Sequence, residues 1–352
     1  MTKHADFAVR FPRIFNDALS AFIRERAAAS DVRGIGSSLL RRSVAAFVRA
    51  PGKRLRPYIA YRSAISCGAP RTSAMSLAIA VELFHAFALV HDDLIDRSNV
   101  RRGRATLHRA FEAKHRTKRW NGSAAEFGEA MAVLAGDLLV TWADASLRDA
   151  MTPTNAKRVL RAWDGMREEV ILGQSLDVCL PRQTGLPSRA ALMRMLAVKS
   201  GRYSIGRPAL LGLALAGRNV DVQTVLRAAE PLGLAFQLQD DILGTFGSAR
   251  RIGKPTDSDI REGKWTLLAW ETRRRIRSIR ERHAWRKGFG IHAASSRDVH
   301  AVRLLMEQSG AREEVERLAT RLTNQAMTRI ERLPFKTDWL TELAKALMER
   351  RS

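Results

Sequence analysis

At 352 residues the chain is long for one ordinary domain and short for three, and 45% hydrophobic with 27% charged residues is the usage of a folded protein with a large core. That composition, with 23 Gly and 11 Pro, excludes disordered, collagen-like and low-complexity classes. Sixty Lys and Arg against 36 Asp and Glu give a net charge of +24, a general attraction for polyanions such as nucleic acid, anionic lipid or phosphorylated small molecules.

In chain order, the first residues, MTKHADFAVRFPRIFND, carry charges and a proline where a secretory leader needs an unbroken apolar run, so no leader is expected. Apolar residues then recur every three or four positions, as in Leu39, Leu40, Val44, Phe47 and Val48, which predicts helix. Breaks fall at Pro51-Gly52, Gly68-Ala69-Pro70, Asn121-Gly122-Ser123, Thr152-Pro153-Thr154, Leu186-Pro187-Ser188, Gly217-Arg218-Asn219, Gly253-Lys254-Pro255 and Leu333-Pro334. They divide the chain into about a dozen predicted helices. None resembles an interdomain linker and no fixed-period repeat is present, so an all-α fold of one large domain is expected. The most apolar window, Ala78 to Val90, contains Glu82 and His85 and is shorter than the roughly 20 residues of a membrane span, so it predicts a buried helix. Two cysteines, Cys67 and Cys179, make neither a disulfide framework nor a zinc pattern and suit a reducing, cytoplasmic compartment.

Three constellations carry chemistry. In LVHDDLIDRSNVRRGRATLH, Asp92 and Asp96 stand one helical turn apart on one face, a clamp for a hard divalent ion such as Mg²⁺. Arg101 and Arg102 follow with fork donors suited to a diphosphate. In GLAFQLQDDILGTFGSARRIGKPTDSDIREGKWTLL a second pair, Asp240-Asp241, ends another helix, with Gln237 one turn earlier and Lys254 and Lys264 beyond. Two acidic pairs followed by cations are what a metal-bridged polyphosphate needs, because the metal ions must be held from two sides. In PGKRLRP, Gly52, Lys53, Arg54 and Arg56 open a helix and, with His85, offer a cationic pocket for a second anionic substrate. Smaller signals are Gly173-Gln174 with Asp177, and Lys199-Ser200. The dense basic run ETRRRIRSIRERHAWRKG, Glu271 to Gly288, lacks any nucleic-acid-binding signature and reads as a solvated face, or as a contact for an anionic membrane.

From about residue 30 to about 345 these motifs resemble those of the trans-isoprenyl diphosphate synthases, the polyprenyl synthetase family. The resemblance implies an all-α bundle of the isoprenoid synthase type, a central cavity with both aspartate-rich motifs at its mouth, about three Mg²⁺ ions, and a homodimer. It implies head-to-tail condensation of isopentenyl diphosphate with an allylic diphosphate. Asp92, Asp93 and Asp96 correspond to the first aspartate-rich motif and Asp240-Asp241 to the second, with Asp92, Asp96 and Asp240 as metal ligands. Lys53, Arg56, His85 and Arg102 would hold isopentenyl diphosphate. Arg101, Lys199, Ser200, Gln237, Lys254 and Lys264 would line the allylic diphosphate and metal site, with Asp257 or Asp259 as a further contact. Two positions depart from the family pattern: Gly244 stands where many members have a third acid, and Ser200 replaces the commoner threonine. Phe87 beside Ala88, with Phe84 a turn deeper, is similar to the pattern for a twenty-carbon product, geranylgeranyl diphosphate; fifteen carbons and longer chains are the alternatives. A class I terpene cyclase needs no second diphosphate pocket, so Lys53, Arg56 and Arg102 argue against it. A silent partner subunit would not need intact acidic motifs, and a specific nucleic-acid binder finds support in the charge alone.

Overall fold

The computed structural model describes residues 10–29, 31–247 and 256–349. Among these residues the chain is helical apart from one two-stranded hairpin, as the apolar spacing predicts. Contacts divide it into two compact units, one running to Val159 with Leu211–Asn219 added, the other formed by Leu160–Leu210 and the described residues from Val220 onward.

The first unit contains α1 (Phe11–Ala29), α2 (Ile35–Arg49), α3 (Leu55–Ser66), α4 (Arg71–Ile95), the hairpin β1 (Val100–Arg101) and β2 (Arg104–Ala105), α5 (Leu107–Lys118) and α6 (Ala124–Ala150), then the start of α7 (Ala156–Cys179). Pro51-Gly52 separates α2 from α3 and Pro70 caps α4, as expected of residues that cannot continue a helix. The two longest helices, α4 and α6, pack along each other, and both bury small and apolar residues, Ala74, Leu77, Ala78 and Val81 on one and Ala132, Ala135 and Leu139 on the other. Both are long and apolar enough to cross a membrane by length and composition, but here they are largely buried against the rest of the unit. The apolar window thus extends into a helix of 25 residues, longer than the window itself. The approach is closest at Gly136, where any side chain would lie 2.0 Å from His91 Nε2, so a glycine is what allows α6 to pass the acidic end of α4.

The second unit holds the rest of α7, a short 3₁₀ turn, α8 (Arg189–Leu196), a ten-residue π-helical stretch Ala197–Gly206, the start of α9 (Arg207–Leu215), α10 (Val222–Phe246), α11 (Ser258–Glu262), α12 (Leu267–Arg275), α13 (Ile279–Gly288), α14 (Ser296–Gln308), α15 (Ala311–Ile330) and α16 (Asp338–Glu349). Its core joins Leu192, Leu196, Leu238, Leu268, Val302 and Val315. The described residues form sixteen α-helices where about a dozen were predicted. The additional cuts include the one before α2, the hairpin between α4 and α5, the π-helical stretch between α8 and α9, and several beyond residue 256, where Thr266, Ser278 and Ser295 cap new helices by accepting from Ala269, Glu281 and Asp298 backbone N–H groups; no proline marks these three caps. Pro231 sits inside α10 and leaves the Arg227 carbonyl without its helical donor; Arg329 Nη1 on α15 donates to that oxygen at 3.0 Å. In the basic run, Arg274 and Arg275 both donate to the buried Glu271 carboxylate, which neutralises part of its charge locally.

Candidate active site

The first unit brings its predicted residues into two adjoining groups at the C-terminal end of α4. Asp92 and Asp93 are 100° apart around the helix, so they face different surroundings. Asp93 is buried and accepts both of its bonds from Arg101 Nε, at 2.7 and 2.8 Å, while Asp92 lies 3.5 Å from Arg101 Nη2 and stays partly exposed, as does Asp96 at the helix cap. Burial pushes the Asp93 carboxyl up to about 6, with Asp92 and Asp96 adding to the rise and Arg101 opposing it. Asp93 therefore aims the Arg101 guanidinium beside Asp92, leaving the Asp92 and Asp96 carboxylates accessible.

The second group surrounds His85. Arg54, buried at the N-cap of α3, pairs with buried Glu82 and donates to the carbonyls of Val48 at 2.9 Å and Ala50 at 3.0 Å, which fixes the turn that presents Lys53 and Arg56. Arg56 Nη1 lies 3.3 Å from His85 Nε2. Burial, then the charges of Arg56, Arg102, Arg101 and Arg54, hold His85 well below the usual histidine range, so its ring is neutral. Since arginine only donates, Nε2 accepts and Nδ1 carries the proton. The hairpin turns at Arg102 (φ 52°) and Gly103 (φ 73°), both left-handed as a two-residue type I′ turn requires, at a cost of roughly 1–2 kcal/mol for the arginine. This folds Arg102 back onto Gly52, where a Cβ would lie 3.0 Å from three guanidinium atoms. Arg54, Arg56 and Arg102 against the single carboxylate of Glu82 leave a positive excess that suits an anion. Glu82 and Arg54 were legible only as a charge inside an apolar helix and one basic residue among several; burial makes them partners.

The second unit gathers the remaining candidates. Buried Asp177 on α7 accepts from Lys199 and lies 3.8 Å from Lys264 Nζ, so one carboxylate holds two predicted diphosphate ligands. A Cβ at Gly173 would meet the Lys199 backbone at 2.8 Å, and one at Gly233 would meet the Gly201 carbonyl at 1.9 Å. These glycines let α7 and α10 close on the π-helical stretch carrying Lys199 and the buried Ser200. On α10, Asp240 is partly exposed while Asp241 is buried and accepts from Gln237 Nε2 at 2.7 Å; Gln237 is thereby turned towards Asp241. Burial, then Asp259, pushes the Asp241 carboxyl up to about 7, with Asp240 adding and Gln237 and Lys264 opposing. Of the two alternatives Asp257 and Asp259, Asp257 is taken by Arg261 Nε at 2.6 Å. Lys254 lies outside the described residues.

Phe84 is 1% exposed, and its ring lies 5.3 Å from that of the half-buried Phe87, which meets His91 edge-on at 4.7 Å. Ala88 is half-buried.

Residues 37–304 match the family model described as polyprenyl synthetase. The chain belongs to that family. It is 34% identical over 287 residues to the (2E,6E)-farnesyl diphosphate synthase of Mycobacterium tuberculosis, covering 80% of this chain and 74% of that protein. It is 33% identical over 225 residues to the geranylgeranyl diphosphate synthase of Sulfolobus acidocaldarius, covering 63% of each. Its fold superposes with a TM-score of 0.91 on the geranylgeranyl pyrophosphate synthase of Corynebacterium glutamicum solved with isoprenyl diphosphate and magnesium, at 32% identity over 97% of this chain and 98% of that one.

As a polyprenyl synthetase the chain is a Mg²⁺-dependent prenyltransferase of the short-chain trans-prenyl diphosphate synthase class. Its residues fit that ion: the acidic motifs offer hard carboxylate oxygens, and Asp241 Oδ2 is sealed from solvent with no hydrogen-bond partner among the described residues. Among the described residues no three acids, histidines or cysteines form a complete cage, and Mg²⁺ ordinarily takes only one or two carboxylates beside water and phosphate. The packing of Arg102 on Gly52 gives a direct expectation for this synthase. With Arg102 holding isopentenyl diphosphate, as the resemblance implies, Gly52→Ala is expected to displace the guanidinium and raise the KM for that substrate about 10-fold, the loss of one charged contact, with little change in kcat. Steady-state kinetics with isopentenyl diphosphate varied checks this.

Proposed function

We propose that this synthase condenses isopentenyl diphosphate with allylic diphosphates to give geranylgeranyl diphosphate. The supporting observation is the stack beneath Asp92. Phe87, five residues earlier and so about 7.5 Å along the helix, is braced by Phe84 below and His91 beside it, with the small Ala88 next in sequence. One braced ring with a small neighbour leaves more depth than two adjacent rings. The farnesyl product is the second reading, favoured by the likeness to the mycobacterial farnesyl synthase.

The proposed roles follow from the two sets of residues. Asp92, Asp96 and Asp240 bind Mg²⁺, about three ions in all, and the bound ions supply charge neutralisation for the departing diphosphate. Arg101, oriented by Asp93, and Lys199 and Lys264, oriented by Asp177, donate to the same allylic diphosphate, with Ser200, Gln237 and Lys254 completing its contacts. Lys53, Arg56, His85 through Nδ1–H, and Arg102 hold isopentenyl diphosphate so that its double bond meets the allylic carbon. Apolar walls keep water from the carbocation. No protein nucleophile takes part.

One catalytic domain across both units belongs to this proposal, supported by a family match that runs through both. So does a homodimer, supported by exposed Val133 and Leu134 on α6 and exposed Ile171 and Leu172 on α7. A cytoplasmic home agrees with two free cysteines. The basic segment around α13 is the surface proposed for peripheral contact with anionic membrane.

Purified protein with Mg²⁺, isopentenyl diphosphate and each of the three short allylic diphosphates, analysed by mass spectrometry, is expected to end at twenty carbons. Phe87→Ala is expected to lengthen the products by at least one five-carbon unit. A wild-type product of fifteen carbons, or an unchanged distribution in Phe87→Ala, contradicts the chain-length assignment.

A further inference from the structure

The ten-residue stretch Ala197–Gly206, AVKSGRYSIG, is wound as a π-helix. Such winding mostly occurs as single turns inside α-helices, frequently at functional sites, so ten residues of it need support from neighbouring elements. Its residues are buried except for Val198, Lys199 and Arg202, which are half-buried. Lys199 reaches Asp177 and belongs to the proposed allylic diphosphate site; Arg202, the other charged residue of the stretch, turns to different partners.

Arg202 bridges the two helices that flank the stretch. Its Nε donates to Glu230 Oε2 on α10 at 2.5 Å, and its Nη1 to Glu169 Oε1 on α7 at 3.4 Å. Glu169 also accepts at 2.8 Å from Nε of Arg207, the first residue after the stretch, so one carboxylate ties the middle of the stretch and its exit to α7. Asp177, eight residues further along α7 and so about 12 Å higher, accepts from Lys199 at the other end. Gly173 against Lys199 and Gly233 against Gly201 permit the close approach, but with no side chains they cannot fix which residue of the stretch lies opposite. The arginine and its two carboxylates can.

We infer that Arg202, clamped between Glu169 and Glu230, is a positioning residue that sets the register of the π-helical stretch and thereby aims Lys199 at the allylic diphosphate. In helical winding one residue more or less turns the preceding side chains by about 100°, enough to carry Lys199 away from Asp177. Arginine suits the task because its planar fork meets two carboxylates in fixed directions, as a flexible ammonium does not. The charges of Arg202, Arg207, Glu169 and Glu230 cancel, so the cluster offers no excess to a ligand and acts as a brace.

The inference rests on the reading that Lys199 binds the allylic diphosphate, and binding measurements separate the two. Isothermal titration calorimetry with Mg²⁺ measures the Kd of an unreactive thio-analogue of geranyl diphosphate and, separately, of isopentenyl diphosphate. The proteins are the full wild-type chain, Arg202→Met, Lys199→Met and the double variant, with circular dichroism and thermal melting as fold controls. Arg202→Met is expected to weaken the analogue about 10-fold, the effect of one misplaced charged contact, and to leave isopentenyl diphosphate within about 2-fold of wild type. In the Lys199→Met background the same substitution adds less than about 3-fold, because Arg202 acts through Lys199. If Arg202→Met melts early, Glu230→Gln, which opens the clamp from the α10 side only, replaces it in the same cycle. An unchanged analogue Kd in a folded clamp variant, an equal weakening of both ligands, or an additive effect in the double variant overturns the inference. A Lys199→Met chain that binds the analogue as wild type does overturns the reading beneath it.

Discussion

Asp92→Ala abolishes prenyl transfer, lowering turnover on the order of 10³-fold or more, while circular dichroism and the melting temperature stay at wild-type values. Asp92 is partly exposed at the end of α4, and Arg101, 3.5 Å from it, is anchored by Asp93, so little of the fold depends on it. What it contributes is a hard oxygen on the face shared with Asp96. Incorporation of radiolabelled isopentenyl diphosphate measures the loss. Near-normal turnover in a folded variant contradicts the metal assignment.

Arg54→Ala is expected to be the most destabilising substitution near the site, costing about 3–5 kcal/mol, because it leaves Glu82 buried without its partner. It also removes the donors to Val48 and Ala50, so the turn that presents Lys53 and Arg56 loses its shape. Replacing both partners with apolar residues, Arg54→Met with Glu82→Leu, recovers most of the stability but not the affinity for isopentenyl diphosphate. Urea denaturation of the three proteins measures the first effect and the KM the second. A loss below about 1 kcal/mol in Arg54→Ala contradicts the buried pairing.

Much of this site was readable in the residues because helical spacing determines which groups share a face. The interval between Asp92 and Asp96 separates them from Asp93, and Asp93 is the one the structure turns inward. The cation clusters were readable by type, but not by role. Arg54 and Arg56 are two residues apart in one motif, yet one is sealed against Glu82 while the other stands beside His85. That assignment depends on α4, almost 30 residues away. The bracketing of Asp177 by Lys199 and Lys264 and the seat of Arg102 on Gly52 are likewise long-range contacts with no local signature. Three helices beyond residue 256 were not separated because their starts are set by the Thr266, Ser278 and Ser295 caps, a weaker signal than the prolines and glycines of the predicted breaks. The π-helical stretch around Lys199 contains no proline or cap to mark it; its traces in the sequence are the glycines of the close approach, Gly173 and Gly233 facing it and Gly201 and Gly206 within it.

The most direct measurement is anomalous diffraction from crystals grown with Mn²⁺ in place of Mg²⁺ and an unreactive thio-analogue of an allylic diphosphate. The account predicts metal peaks bound by Asp92 and Asp96, and by Asp240, each also touching a diphosphate oxygen. A diphosphate bound elsewhere, or metal peaks that leave these carboxylates without a bond, would contradict it.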